Sequence, residues 1–153
     1  MDKQELYHDY ILIRKMKAPT SKRARMLGEL LSLCPDHWQV IGITEDALRV
    51  FAEHDYKKVS RMGINRSHLV DRHKTYTAML EEPIMECDDW WEFYRKNDTT
   101  ILATSSENMT NTFGKVYDVD TNLGLFKSSG FAWKHNKKEI EFLKEQAKET
   151  IGV

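Results

Sequence analysis

The run Thr99-Thr100-Ile101-Leu102-Ala103-Thr104 decides the fold class of this 153-residue chain. Six consecutive β-branched or apolar residues, with no Gly or Pro among them, favour a strand. The composition changes here. Downstream, Val116-Tyr117 and Phe131-Ala132-Trp133 are further strand candidates, separated by Asp, Asn and Gly of the kind that turn a chain. A small antiparallel sheet is expected from this half.

Upstream of Asn97 the periodicity is helical. Leu6, Tyr10 and Ile13, with Tyr7 and Ile11, recur at i, i+3/i+4 spacing and predict a helix over residues 3–17, closed by Pro19. Ser21 is placed to cap a second helix whose stripe is Ala24, Leu27, Leu30, Leu31 and Cys34. Trp38 to Ile43 reads as a short extended segment, and Thr44 as an N-cap followed by Glu45 and Asp46, with a helix to about Glu53. Residues 56–66, around Gly63, read as extended or looped. Asp71–Leu80 predicts a helix ended before Pro83, and Asp88 or Asp89 is placed to cap another that carries Trp90, Trp91, Phe93 and Tyr94. Those aromatics read as core rather than as a base-stacking platform. Asn136 and Glu139 have capping-box spacing ahead of Ile140, Leu143 and Ala147. The expectation is an α+β fold with N-terminal helices, a small antiparallel sheet and a C-terminal helix, organised as a single domain over 1–153.

Composition narrows the function classes. The chain is 41% hydrophobic with four Trp, six Tyr and six Phe, enough to fill a core without disulfides or a structural metal. Cys34 and Cys87 form no CxxC pair, and Met1-Asp2-Lys3-Gln4-Glu5 begins no apolar signal segment, so the reading is cytoplasmic with reduced thiols. No apolar run approaches the roughly 20 residues of a membrane helix, so no membrane partner is expected. A Gly-rich phosphate loop, GxSxG, HExxH and paired CxxC are all missing, which leaves nucleotide hydrolysis, serine-hydrolase chemistry and a zinc ribbon without support. Net charge is −1, but residues 1–80 carry 14 Lys and Arg against 10 Asp and Glu, and residues 81–153 carry 9 against 14. The basic clusters, among them Lys57, Lys58, Arg61, Arg66, Arg72 and Lys74, can form a phosphate-binding face or a solvated one.

The run Ile64-Asn65-Arg66-Ser67-His68-Leu69-Val70-Asp71-Arg72-His73 resembles the first half of an HNH, or His-Me finger, nuclease motif, in which an apolar strand ends in the catalytic His. Thr99 to Asn108 resembles the second half, where a Leu-rich strand leads to a Glu-His or Glu-Asn pair opening a helix. The resemblance covers a small part of the chain and departs from the pattern at Ser67, where Asp or His is usual, and at Thr99, where a structural Asn is usual. It implies a metal-dependent DNA endonuclease, or a catalytically impaired relative that still binds nucleic acid. In such an enzyme His68 would take a proton from water while a divalent cation, Mg²⁺ or Mn²⁺, stabilises the leaving oxygen. The resemblance assigns Asn108 to the metal, assisted by Asn111 or Asp98, and Arg66, Arg72, Lys74 and Arg61 to the nucleic-acid backbone. Read from the residues alone, His68 could instead hydrogen-bond a nearby carboxylate such as Asp71, and Asn108 could serve the backbone of a turn. A different class of function is also open: a small non-enzymatic regulator or inhibitor that binds a protein partner through the acidic run Glu81, Glu82, Glu86, Asp88, Asp89 beside Trp90 and Trp91.

Overall fold

A computed structural model describes residues 1–59, 61–127 and 136–153. The strand candidate Phe131–Trp133 lies outside the described residues. In chain order the elements are α1 (Lys3–Lys15), α2 (Thr20–Leu31), β1 (Gln39–Thr44), α3 (Glu45–Glu53), β2 (Ile64–His68), α4 (Arg72–Glu81), α5 (Cys87–Asn97), β3 (Thr99–Thr104), α6 (Ser105–Thr110), β4 (Val116–Asp118), a 3₁₀ turn at Thr121–Leu123, and α7 (Lys137–Thr150). The fold is α+β with a C-terminal helix, as expected. Contacts divide the chain into two compact units, Met1–His37 with His68–Thr99, and Trp38–Ser67 with Thr100–Val153.

The first unit is helical. Asp2 and Glu5 close a capping box on α1, which buries Leu6, Tyr10 and Ile13 at the spacing the sequence shows. Ser21 does not cap α2. Pro19 holds that position, and its carbonyl accepts from the N–H groups of Lys22 and Arg23; proline suits a helix start because its φ is already near the helical value and its missing N–H has no partner there in any case. Asp88 and Asp89 likewise do not cap α5: Glu86 is the N-cap, and the two aspartates fall in the first turn, where their charge favours the positive end of the helix. Ala24, Leu27 and Leu31 of α2 pack with Tyr76, Met79 and Leu80 of α4 around Trp90 and Tyr94. Trp90 stacks on Tyr10 at 4.9 Å between centroids and is met edge-on by Tyr7 at 5.4 Å. Both tyrosines keep their hydroxyls satisfied, Tyr10 on the Met79 carbonyl and Tyr7 on that of Met85, each at 2.6 Å. The aromatic cluster is core.

The second unit holds most of a four-stranded sheet in the order β2-β3-β1-β4. The sheet is mixed rather than purely antiparallel. β4 runs antiparallel to β1, with Gly42 opposite Asp118 and Thr44 opposite Val116. β2 runs antiparallel to β3, since Ser105 N–H donates to the Gly63 carbonyl and Leu69 N–H to that of Thr99. The central pair is parallel: Thr100 near the start of β3 donates to the carbonyls of Trp38 and Gln39 at the start of β1, while Thr44 and Thr104 at the two ends both reach Glu107. A central strand is covered on both faces, which is why Thr100 to Ala103 form an unbroken buried run. Gly42 is required by the close approach of β4, because a Cβ there would stand 2.8 Å from Val116 Cγ1. Val40, Ile43, Leu48, Phe51, Leu102, Leu143 and Ala147 form this unit's own core.

Thr44 and Thr104 end the two parallel strands, and each caps the helix that follows. Glu107 ties the two caps together. Its Oε1 accepts from both threonine hydroxyls, at 2.8 and 3.0 Å, and from Thr104 N–H, while Oε2 accepts from Gly114 N–H at 3.0 Å. Burial pushes this carboxyl's pKa up, but the backbone donors of Gly114 and Thr104 and the two hydroxyls outweigh it and hold the pKa below its ordinary value.

Candidate functional site

His68 is the last residue of β2, and its surroundings in the first unit form a polar network inside the helical core. Its Nε2 lies 3.0 Å from Asp98 Oδ1. Asp98 follows α5 as its C-cap, with its N–H on the Tyr94 carbonyl at 2.9 Å, so the end of the helix fixes the carboxylate. One turn earlier on the same helix, the Tyr94 hydroxyl donates to Asp98 Oδ2 at 2.9 Å. The Tyr94 oxygen lies 3.2 Å from His37 Nδ1, and that nitrogen is 3.8 Å from Asp98 Oδ2.

A carboxylate only accepts, so an ionised Asp98 accepts one hydrogen bond from His68 Nε2–H and another from the Tyr94 hydroxyl. That choice leaves the lone pair of the His68 imidazole on Nδ1. With the Tyr94 proton spent on Asp98, the phenol oxygen accepts from His37. The result is a chain of donors, His37 to Tyr94 to Asp98, that meets the His68 N–H at the same carboxylate. The side chains of Asp98 and His37 are 3% and 4% exposed, whereas that of His68 is 10% exposed. Of the three, His68 is the most exposed.

The charge of Asp98 is felt around it. Burial first, and then the neighbouring carboxylate, push the pKa values of Tyr94 and Tyr76 well above the ordinary phenol value, so both stay protonated. The Tyr76 hydroxyl is buried without a hydrogen-bond partner among the described residues. Asp71, the sequence-proximal alternative partner for His68, caps α4 instead by accepting from His73 N–H at 2.7 Å.

The other residues singled out from sequence fall as follows. Arg72 is half-buried and Lys74 exposed on α4, in the same unit as His68. Arg66 is buried in the second unit, with its guanidinium 4.9 Å above the Trp38 ring and a hydrogen bond to the Trp38 carbonyl. It serves packing, so it is not on a phosphate-binding face. Arg61 is exposed in the loop before β2. Asn108 and Asn111 lie exposed at the end of α6 in the second unit, with Asn111 closing the helix in a left-handed conformation and its N–H on the Asn108 carbonyl. Ser67, which precedes His68, is buried, and its hydroxyl has no hydrogen-bond partner among the described residues.

A divalent cation needs several oxygen or nitrogen donors converging on one point. Here Asp98 commits both oxygens to His68 and Tyr94, and no group of three His, Cys, Asp or Glu among the described residues is arranged to hold an ion. Asp98 belongs to the first unit, and Asn108 and Asn111 to the second. Neither His37 nor Tyr94 is among the site residues that the sequence suggests. Tyr94 and Asp98 stand i, i+4 at a helix end, a spacing that predicts their contact, whereas nothing local to His37 points to residues some sixty positions away.

Comparison with family models, with curated proteins and with solved structures finds no match. No described helix is long and apolar enough to cross a membrane.

Proposed function

We propose that the protein is a cytoplasmic nucleic-acid-binding protein of the HNH-like kind, in which His68 accepts a proton from the water that attacks a phosphodiester. The observation that carries this reading is the 3.0 Å contact between His68 and a buried Asp98 at the end of β2. A carboxylate on one imidazole nitrogen sets the tautomer, orients the ring and stabilises the imidazolium once the proton has moved, which is what a general base requires. The antiparallel pairing of β2 with β3, followed at once by α6, also supports it, because the HNH resemblance runs through these three elements. Arg72 and Lys74, on the helix that follows His68, supply positive charge for the DNA backbone.

The test is incubation of purified protein with supercoiled plasmid in the presence of Mg²⁺ or Mn²⁺, beside His68→Ala and Asp98→Asn. Nicking by the wild type that falls about a hundredfold or more in His68→Ala is the expected result. Equal nicking by both, or none by either, removes the catalytic claim.

A binding measurement at low salt addresses the partner. Glu81, Glu82, Glu86, Asp88 and Asp89 are exposed together with Ile84, whereas Trp90 is buried and Trp91 is half-buried against the core. Failure to bind DNA at low salt would transfer the reading to a protein partner at this acidic face.

A further inference from the structure

The second unit contains a cavity of about 330 Å³ beside the start of β2, lined by Lys58, Arg61, Asn65 and Ser105 over an apolar wall that includes Met62 and Ile64. Among the described residues, no Asp or Glu lines it. Asn65 Nδ2 donates to Ser105 Oγ at 3.0 Å, which uses the hydroxyl as an acceptor and leaves its own proton for something outside. Gly63 takes a positive φ of 76°, and a Cβ there would stand 3.6 Å from the same hydroxyl, so glycine keeps that side of Ser105 open. Arg61 also sits at positive φ, 62°, a conformation that glycine or asparagine adopts far more readily. The loop thus carries a cation where its backbone favours a different residue. Burial, and then the positive charge of Arg66, push the pKa of the Lys58 ammonium down.

We propose that this cavity binds the terminal phosphate of a nucleotide, with Lys58 and Arg61 on the phosphate oxygens, Ser105 donating to a third, and Met62 and Ile64 against the sugar and base. The volume is at the lower end for small-molecule sites and suits one nucleotide rather than a run of several. Three donor side chains match the three oxygens of a monoester better than the two free oxygens of a diester within a strand. The ligand class rests on the nucleic-acid reading above; the site itself does not involve His68. A free mononucleotide and the 5′-phosphate end of a strand present the same chemistry.

The two sources are separable by fluorescence anisotropy with 3′-labelled single-stranded DNA bearing either a 5′-phosphate or a 5′-hydroxyl, and by direct titration with AMP. The 5′-phosphorylated strand is expected to bind about tenfold more tightly, with that preference lost in Lys58→Ala/Arg61→Asn and kept in Lys58→Arg. Asparagine at position 61 removes the charge while tolerating the left-handed backbone, so loss of binding is not loss of fold. Should the two strands bind equally while AMP binds and is lost in the double variant, the ligand is a free nucleotide and the site stands. Equal binding of the two strands, with AMP binding absent or unchanged in the double variant, overturns it. The nicking assay reads His68 and this binding assay reads Lys58 and Arg61, so a failed nuclease reading and a failed phosphate site give different results.

Discussion

At the scale of single residues, the polar network around Asp98 sets what His68 can do. Asp98→Asn replaces an acceptor-only group with an amide, one of whose ends donates, so the His68 tautomer is no longer enforced. Nicking should fall while DNA affinity holds, measured by initial rates beside anisotropy. Tyr94→Phe removes a donor from a carboxylate that is 3% exposed and an acceptor from His37. The expected cost is about 1–3 kcal/mol, read as a lower urea midpoint with unchanged slope. His68 was legible from sequence because its neighbours resemble a motif. Its partner was not: Asp71 is close in sequence, but Asp98 wins because the end of α5 delivers it to the end of β2, a pairing that only long-range strand register specifies.

Among the elements, helices were read more faithfully than the sheet. The amphipathic spacing of α1, the Thr44 cap and the Asn136–Glu139 capping box all concern contacts within a few residues, and each is present. The starts of α2 and α5 were misplaced because Ser and Asp are good caps in general, whereas here Pro19 and Glu86 hold those positions. The parallel pairing of β1 with β3 had no local signature, since strand direction is set by the route of the chain between them. Glu107, which joins the two strand-to-helix junctions, is equally non-local. Its folded-state pKa lies below the ordinary 4.5, so its contribution is present above the unfolded value and is lost as pH falls through the folded one. Wild-type protein should therefore lose stability on acidification below about pH 4.5, and Glu107→Gln should be less stable at neutral pH with a shallower acid slope, both followed by chemical denaturation.

For the whole molecule, the chain crosses between its two units at positions 37–38, 67–68 and 99–100. No Pro- or Gly-rich linker marks these crossings, and two of them fall at the ends of β2 and β3. Composition therefore carried no sign of two cores. The net charge of −1 conceals a basic first half, and backbone contacts by Lys and Arg make affinity fall with salt. DNA affinity should drop about tenfold or more between 50 and 200 mM salt, and Lys74→Ala should reduce the slope by about one. A salt-independent affinity would show that phosphates are not what the protein holds.

The central claim is that the His68 imidazole moves a proton, and chemical rescue measures this most directly. His68→Gly, confirmed as folded by its circular dichroism, is assayed for plasmid nicking with and without added imidazole. Restoration of nicking in proportion to imidazole, with none in the wild type's already saturated rate, is the predicted result. Wild-type nicking that His68→Gly retains in full, or a lost activity that imidazole does not restore, would contradict it.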